Sequence, residues 1–245
     1  MAEEAGCMDE LIRTLIETGI LAGLGLAGAL VLRSGFRWRW LIAALLLNLV
    51  YQALLTRAFW TIPDPFPGAD WNWAGKLAAF AGTLIVMSLP AFGWARCGAR
   101  LDQGPHWRGA LLMFMALSGL FFWLALSGAD GKPDDLETIA FQWALPGLDE
   151  EFFYRGTLLL ALNEAFRPRL NVIGAPIGYG GVLTSLLFGL THALGYEAGA
   201  VDFDLMTFAM TGLPAFLLLW LRERTGSLVL PVIAHNIANG ASTLL

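Results

Sequence analysis

The chain has 245 residues, 57% hydrophobic and only 14% charged, with a mean hydropathy of +0.62 and a net charge of -5. Soluble domains of ordinary composition carry about a quarter charged residues, so these values exclude one and predict an all-α, polytopic transmembrane helical bundle. Arginines and carboxylates are divided among different loops, so no basic nucleic-acid face forms and no nucleic-acid partner is expected.

In chain order, the opening from Met1 to Glu10 is acidic where a secretory leader requires a basic start, and it is expected to be retained. Arg13 and Glu17 leave room for an amphipathic opening before the first apolar stretch, Gly19 to Leu32. Runs of about 20 apolar residues predict eight spans, centred near Leu24, Leu47, Leu84, Gly119, Asp149, Leu186, Gly212 and Ile233, with seven as the alternative if the first does not cross. Trp-rich stretches at Phe36 to Trp40 and Trp71 to Trp73 mark membrane interfaces. Gly174, Gly178, Gly180 and Gly181 predict a late or irregular start for the sixth span. No internal repeat is visible, and residues 1–245 read as one membrane domain with a motif-bearing core at about 138–245.

Loop charges test this division. Arg33, Arg37 and Arg39 follow the first span, Arg96, Arg100 and Arg108 the third, Arg167 and Arg169 the fifth, and Arg222 and Arg224 the seventh. The intervening loops carry Asp64 and Asp70, then Asp130, Asp134, Asp135 and Glu137, then Glu197, Asp202 and Asp204. Because cytoplasmic loops are enriched in Arg and Lys, the alternation favours an even count and predicts both termini outside the cytoplasm. Cys7 and Cys97 then fall on opposite sides, and no disulfide is expected. Short loops without organelle signals point to a prokaryotic inner membrane.

Inside the apolar spans lie Glu150, Glu151, Arg155, His192, His235 and Asn239. A charge at mid-bilayer costs about 3 kcal/mol, so such residues read as functional. Glu151 and Arg155 are one helical turn apart with the acid N-terminal, the better orientation for an ion pair, so Arg155 neutralises Glu151 as a supporting pair. Glu150 projects elsewhere and is the carboxylate left for chemistry, since its span holds no other basic residue and an unpaired buried carboxylate must find a proton or a partner. The sixth span carries Phe188-Gly189-Leu190-Thr191-His192, where Phe188 packs a turn below His192. The eighth carries His235-Asn236-Ile237-Ala238-Asn239, whose imidazole and carboxamide share one face and suit a developing oxyanion. Taken singly, an intramembrane His or Asn also serves as interhelical glue worth about 0.6 to 2 kcal/mol. Tyr154 and Asn236 read as packing or supporting groups, and His106 as a solvated loop histidine.

On these three motifs the chain resembles the CPBP family, the CAAX-protease and bacteriocin-processing intramembrane proteases that include the Rce1-type prenyl-protein endoproteases. That family is marked by EExxxR, FxxxH and HxxxN on successive helices, here Glu150-Glu151-x-x-x-Arg155, Phe188-x-x-x-His192 and His235-x-x-x-Asn239, in the same order. The likeness runs from about Phe141 to Leu245 and includes the turn Arg224-Thr225-Gly226-Ser227, whereas residues before 141 match only as apolar spans. The resemblance implies peptide-bond hydrolysis within the membrane: Glu150 and His192 activate a water, His235 and Asn239 stabilise the oxyanion, and Glu151, Arg155 and Phe188 support the site. It implies a membrane-anchored or lipid-modified protein or peptide as substrate, in contact with the lipid bilayer. A CAAX-type C-terminus, a bacteriocin leader and a surface-protein anchor all remain open.

Two alternatives compete. Glu150, His192 and His235 could ligate zinc with an open water position, although HExxH is absent; no cofactor is the expectation. A non-catalytic bacteriocin-immunity protein, transporter or scaffold is the other, but spans two to four offer a conduction path little beyond Asn48, Gln52 and Lys76.

Overall fold

An unpaired backbone N–H or C=O costs several kcal/mol in hydrocarbon, which is why the apolar runs fold as helices. The structure is a computed structural model that describes residues 2–32, 35–63, 65–128 and 131–245. Arg33, Asp64 and Asp130, three of the charges that mark the loops, lie outside the described residues. The helices are α1 (Ala2–Leu32), α2 (Trp38–Thr61), α3 (Trp73–Ser88), α4 (Trp107–Gly128), α5 (Leu136–Glu150), α6 (Leu159–Ala165), α7 (Tyr179–Ala193), α8 (Leu205–Thr225) and α9 (Val229–Gly240). A π-helical segment, Glu151–Leu158, joins α5 to α6 in one central rod, and a 3-10 turn, Ala241–Leu244, closes the chain.

Every predicted span centre falls in a helical rod, but among the described residues four helices are long and apolar enough to cross a membrane: α1, α2, α4 and α8. The shorter α3, α7 and α9 have 16, 15 and 12 residues. Two antiparallel hairpins flank α7 and take up the chain that a longer helix would have used: β1 (Arg169–Val172) with β2 (Ala175–Gly178), and β3 (Leu194–Glu197) with β4 (Ala200–Phe203). Both reverse at two-residue loops with positive φ throughout, Ile173-Gly174 (49° and 81°) and Ala198-Gly199 (50° and 85°), the backbone of a tight hairpin turn. The glycines before α7 thus signal a hairpin, and α7 starts late, at Tyr179.

The opening of α1 runs without a break into its apolar stretch, with Met8, Leu11 and Leu15 exposed and Glu17 fully buried, where it faces α2 and α7 and accepts from Gln52 Nε2 (3.1 Å) and Thr191 Oγ1 (3.3 Å). Arg222 departs from expectation. It sits inside the last turn of α8 rather than in a basic loop, and its guanidinium donates to the backbone carbonyls of Arg155 and Arg96 (both 3.1 Å).

The two ends of the bundle differ in charge as the loops predicted. At one end Arg37, Arg96 and Arg167 converge on Glu164, and Arg100 donates to the carbonyls of Thr225 and Gly226. At the other, Glu137 accepts from the backbone of Asp70 and Trp71, Asp134 donates its N–H to the carbonyl of Thr243, and Asp9 accepts from Ala198 N. Both termini belong to this acidic end. Between the ends, a core including Leu21, Leu41, Met87, Phe153, Leu158 and Leu162 packs around the central rod. Where α7 crosses α8, a Cβ on Gly189 would stand 3.0 Å from Gly212 Cα, the close approach that small residues permit in membrane helices.

Candidate active site

Four elements deliver the predicted residues: α5 with its π-helical continuation, α7 and α9. Pro146 interrupts α5, and Asn236 of α9 bonds the neighbouring backbone, its Oδ1 accepting from Gly147 N (2.8 Å) and its Nδ2 donating to Ala144 O (3.3 Å). Gly147 makes that approach possible, since a Cβ there would lie 2.3 Å from Asn236 Oδ1. The π segment adds an extra residue per turn just after Glu150, a feature that recurs at functional sites, and Arg222 takes up its Arg155 carbonyl.

Glu150, His192 and His235, which lie on three separate helices, meet here. Glu150 Oε2 lies 3.9 Å from His192 Nε2 and 3.7 Å from His235 Nε2, and it accepts no hydrogen bond from any described residue. Both imidazoles are oriented through their other nitrogen. His192 Nδ1 is 2.8 Å from the Phe188 carbonyl, which can only accept, so Nδ1 carries the proton. His235 Nδ1 is 2.8 Å from Glu151 Oε1 and donates in the same way. The same Glu151 oxygen is 3.0 Å from Arg155 Nη1, the ion pair that the spacing predicted, and both residues are wholly buried. Arg155 also donates to the Ala215 carbonyl (3.3 Å) and lies 4.4 Å over the Phe188 ring. That ring packs against His192 on one contact and edge-on to His235 on another, so Phe188 is wedged between the arginine and both imidazoles.

Asn239, His192, His235 and Phe188 line one apolar cavity of about 730 Å³, walled by Leu117 and Phe121 of α4 and Pro214 of α8. Cys97 is no rival nucleophile. It is buried, and burial pushes its thiol up to about 11. His106 is exposed, as expected of a loop histidine, and both cysteines are free.

Three site residues were not singled out from the sequence. Lys76 of α3 hydrogen-bonds Glu150 Oε1 and lies 3.2 Å from Asp149 Oδ2. Asp149 is fully buried and accepts from Tyr51 OH of α2 (2.7 Å). Glu150 therefore has a basic partner, supplied by another helix rather than its own. The signal available was Lys76 itself, the one charged residue of an otherwise apolar helix.

Residues 133–241 match the family model described as type II CAAX prenyl endopeptidase Rce1-like. No curated protein and no solved structure matches the chain. Residues 133–241 are thus an Rce1-like domain that matches the CPBP/CAAX protease family, the domain of an intramembrane protease, carried in the apolar helical bundle of a multi-pass membrane protein.

Proposed function

We propose that the protein hydrolyses a peptide bond of a lipid-modified, membrane-anchored protein, of the CAAX type, through a water activated by Glu150 and His192. The observation that carries this reading is the meeting of Glu150 Oε2 with two imidazole Nε2 atoms beside a large apolar cavity. The gaps of 3.9 and 3.7 Å are too long for direct hydrogen bonds, and a water bonded to carboxylate and imidazole spans either. Glu150 takes the water proton as the oxygen attacks the scissile carbonyl. His235, doubly protonated so that Nε2 donates while Nδ1–H is held by Glu151, and Asn239 stabilise the tetrahedral oxyanion. Glu150 then returns the proton to the leaving amine, releasing a new carboxylate and a new amino group.

A resident zinc fits these residues poorly. Lys76 already places a positive charge on the Glu150 carboxylate a dication would need, and among the described residues no group of three His, Cys, Asp or Glu is arranged to hold a metal. The cavity's apolar walls suit a lipid-modified chain end, and the grouping of arginines at one end supports termini outside the cytoplasm.

The test is cleavage of prenylated CAAX-type and other membrane-anchored peptides by purified protein, comparing wild type with Glu150→Gln, each with and without chelator. Loss of cleavage in a folded Glu150→Gln variant and indifference to chelator are expected. Full activity in that variant would sink the assignment of Glu150, and zinc-restored loss under chelator would sink the metal-free mechanism.

A further inference from the structure

We propose that Lys76 is a positioning residue of the site: from α3, outside the segment that matches the family, it holds Glu150 by one oxygen so that the other faces His192 and His235. The inference rests on the reading of Glu150 as the base. A carboxylate rotates about its last torsion unless something holds it. Here the Lys76 ammonium engages Oε1, which leaves Oε2 as the oxygen nearest both imidazoles. Asp149, the adjacent carboxylate, shares the ammonium at 3.2 Å and takes the Tyr51 hydroxyl on the same oxygen. One cation thus separates two neighbouring buried carboxylates that would otherwise repel each other where little water screens them.

Lys76 is itself rigidly supported. It lies one turn into α3, whose start is capped by Asn72, with Oδ1 accepting from Gly75 N (2.8 Å) and Nδ2 donating to Leu55 O (3.0 Å). Glu137, in the first turn of the rod that carries Glu150, accepts from the N–H groups of Asp70 and Trp71 and from Trp73 Nε1 (3.0 Å). Phe141 stacks on Trp71 and meets Trp73 edge-on. The rod that bears the base therefore clamps the helix that bears its cation, which fixes the distance between them.

A merely structural ion pair and a positioning residue predict different kinetics. Losing the first lowers the folded fraction and leaves each folded molecule as active as before; losing the second lowers kcat with KM unchanged, since the base is misaimed but the cavity is intact. The experiment uses full-length protein in proteoliposomes and the anchored peptide that wild type cuts best, with kcat normalised to the folded fraction. Lys76→Met is expected to lower kcat by about 10- to 100-fold with KM within about twofold, and Lys76→Arg to recover most of it. Wild-type kcat in folded Lys76→Met overturns the proposal, as does an arginine variant no better than methionine. Should Lys76→Met fail to fold, the double variant Asp149→Asn, Lys76→Met removes the surplus charge but leaves Glu150 without its cation. Its wild-type kcat would overturn the proposal, and its lowered kcat would support it. Inactive Glu150→Gln beside fully active Lys76→Met sinks the role of Lys76 alone, whereas fully active Glu150→Gln, or a wild type that cuts nothing, sinks the reading beneath it.

Discussion

Arg155 binds the polar centre together from beneath. Its guanidinium reaches Glu151, the Ala215 carbonyl and the face of Phe188, and Glu151 in turn holds His235 through Nδ1. Removing one partner of a buried pair strands the other charge, at about 3 to 5 kcal/mol. Arg155→Met is therefore expected to lower the thermal midpoint in detergent clearly and to abolish cleavage, and Arg155→Lys to rescue only part, because an ammonium has neither the planar fork nor the stacking face. Thermal unfolding followed by tryptophan fluorescence checks this; a methionine variant as stable as wild type would oppose it. The pairing of Glu151 with Arg155 was legible because residues four apart in a helix must meet. The bond from Glu151 to His235 was not, since 84 residues separate the two.

Among the elements, α8 shows how a polar cap bounds an apolar helix. Asp204 accepts from Met206 N (2.8 Å), Thr207 N (3.1 Å) and Thr207 Oγ1 (2.6 Å), and the Thr207 hydroxyl foremost, then its backbone N–H, hold its carboxyl below the usual carboxylate range. A group whose value is lower in the folded state stabilises above its unfolded value, about 4, and loses that contribution as pH falls through the folded one. Protection of the amides in the first turn of α8, taken relative to their intrinsic exchange rates, is expected to be constant between pH 7 and 5 and to fall in stronger acid. Asp204→Asn should lack that acid step, and an identical step in both proteins would refute the assignment. Helices such as α8 were readable from apolar length and from the charges that bound them. The π segment was not, because one extra residue in a turn leaves no mark on a helical spacing. The two hairpins escaped as well: their strands are four residues each, and only the Gly174 and Gly199 turns announced them.

Across the whole molecule, charge sorts the two ends of the bundle, with Glu164 gathering three arginines at one and Glu137, Asp9 and Asp134 tying the connectors at the other. Since both termini share the acidic end, reporters fused to the N- and C-terminus are expected to report the same side of the membrane, opposite the connector that holds Arg100. Reporters on opposite sides would overturn the eight-rod arrangement. The alternation of loop charges leads to the same expectation, because it depends on chain order alone. By itself the sequence determined that the chain lives in a membrane, where its helices run, and which polar residues are too costly there to be incidental, all consequences of what lipid does to charge and to unpaired backbone. Only the tertiary structure decided that Lys76, Asp149 and Tyr51 join that centre, that Glu17 turns inward, and which oxygen of Glu150 meets the imidazoles. Those are contacts between separate helices, and they depend on how the rods rotate and pack against one another, which no local spacing encodes.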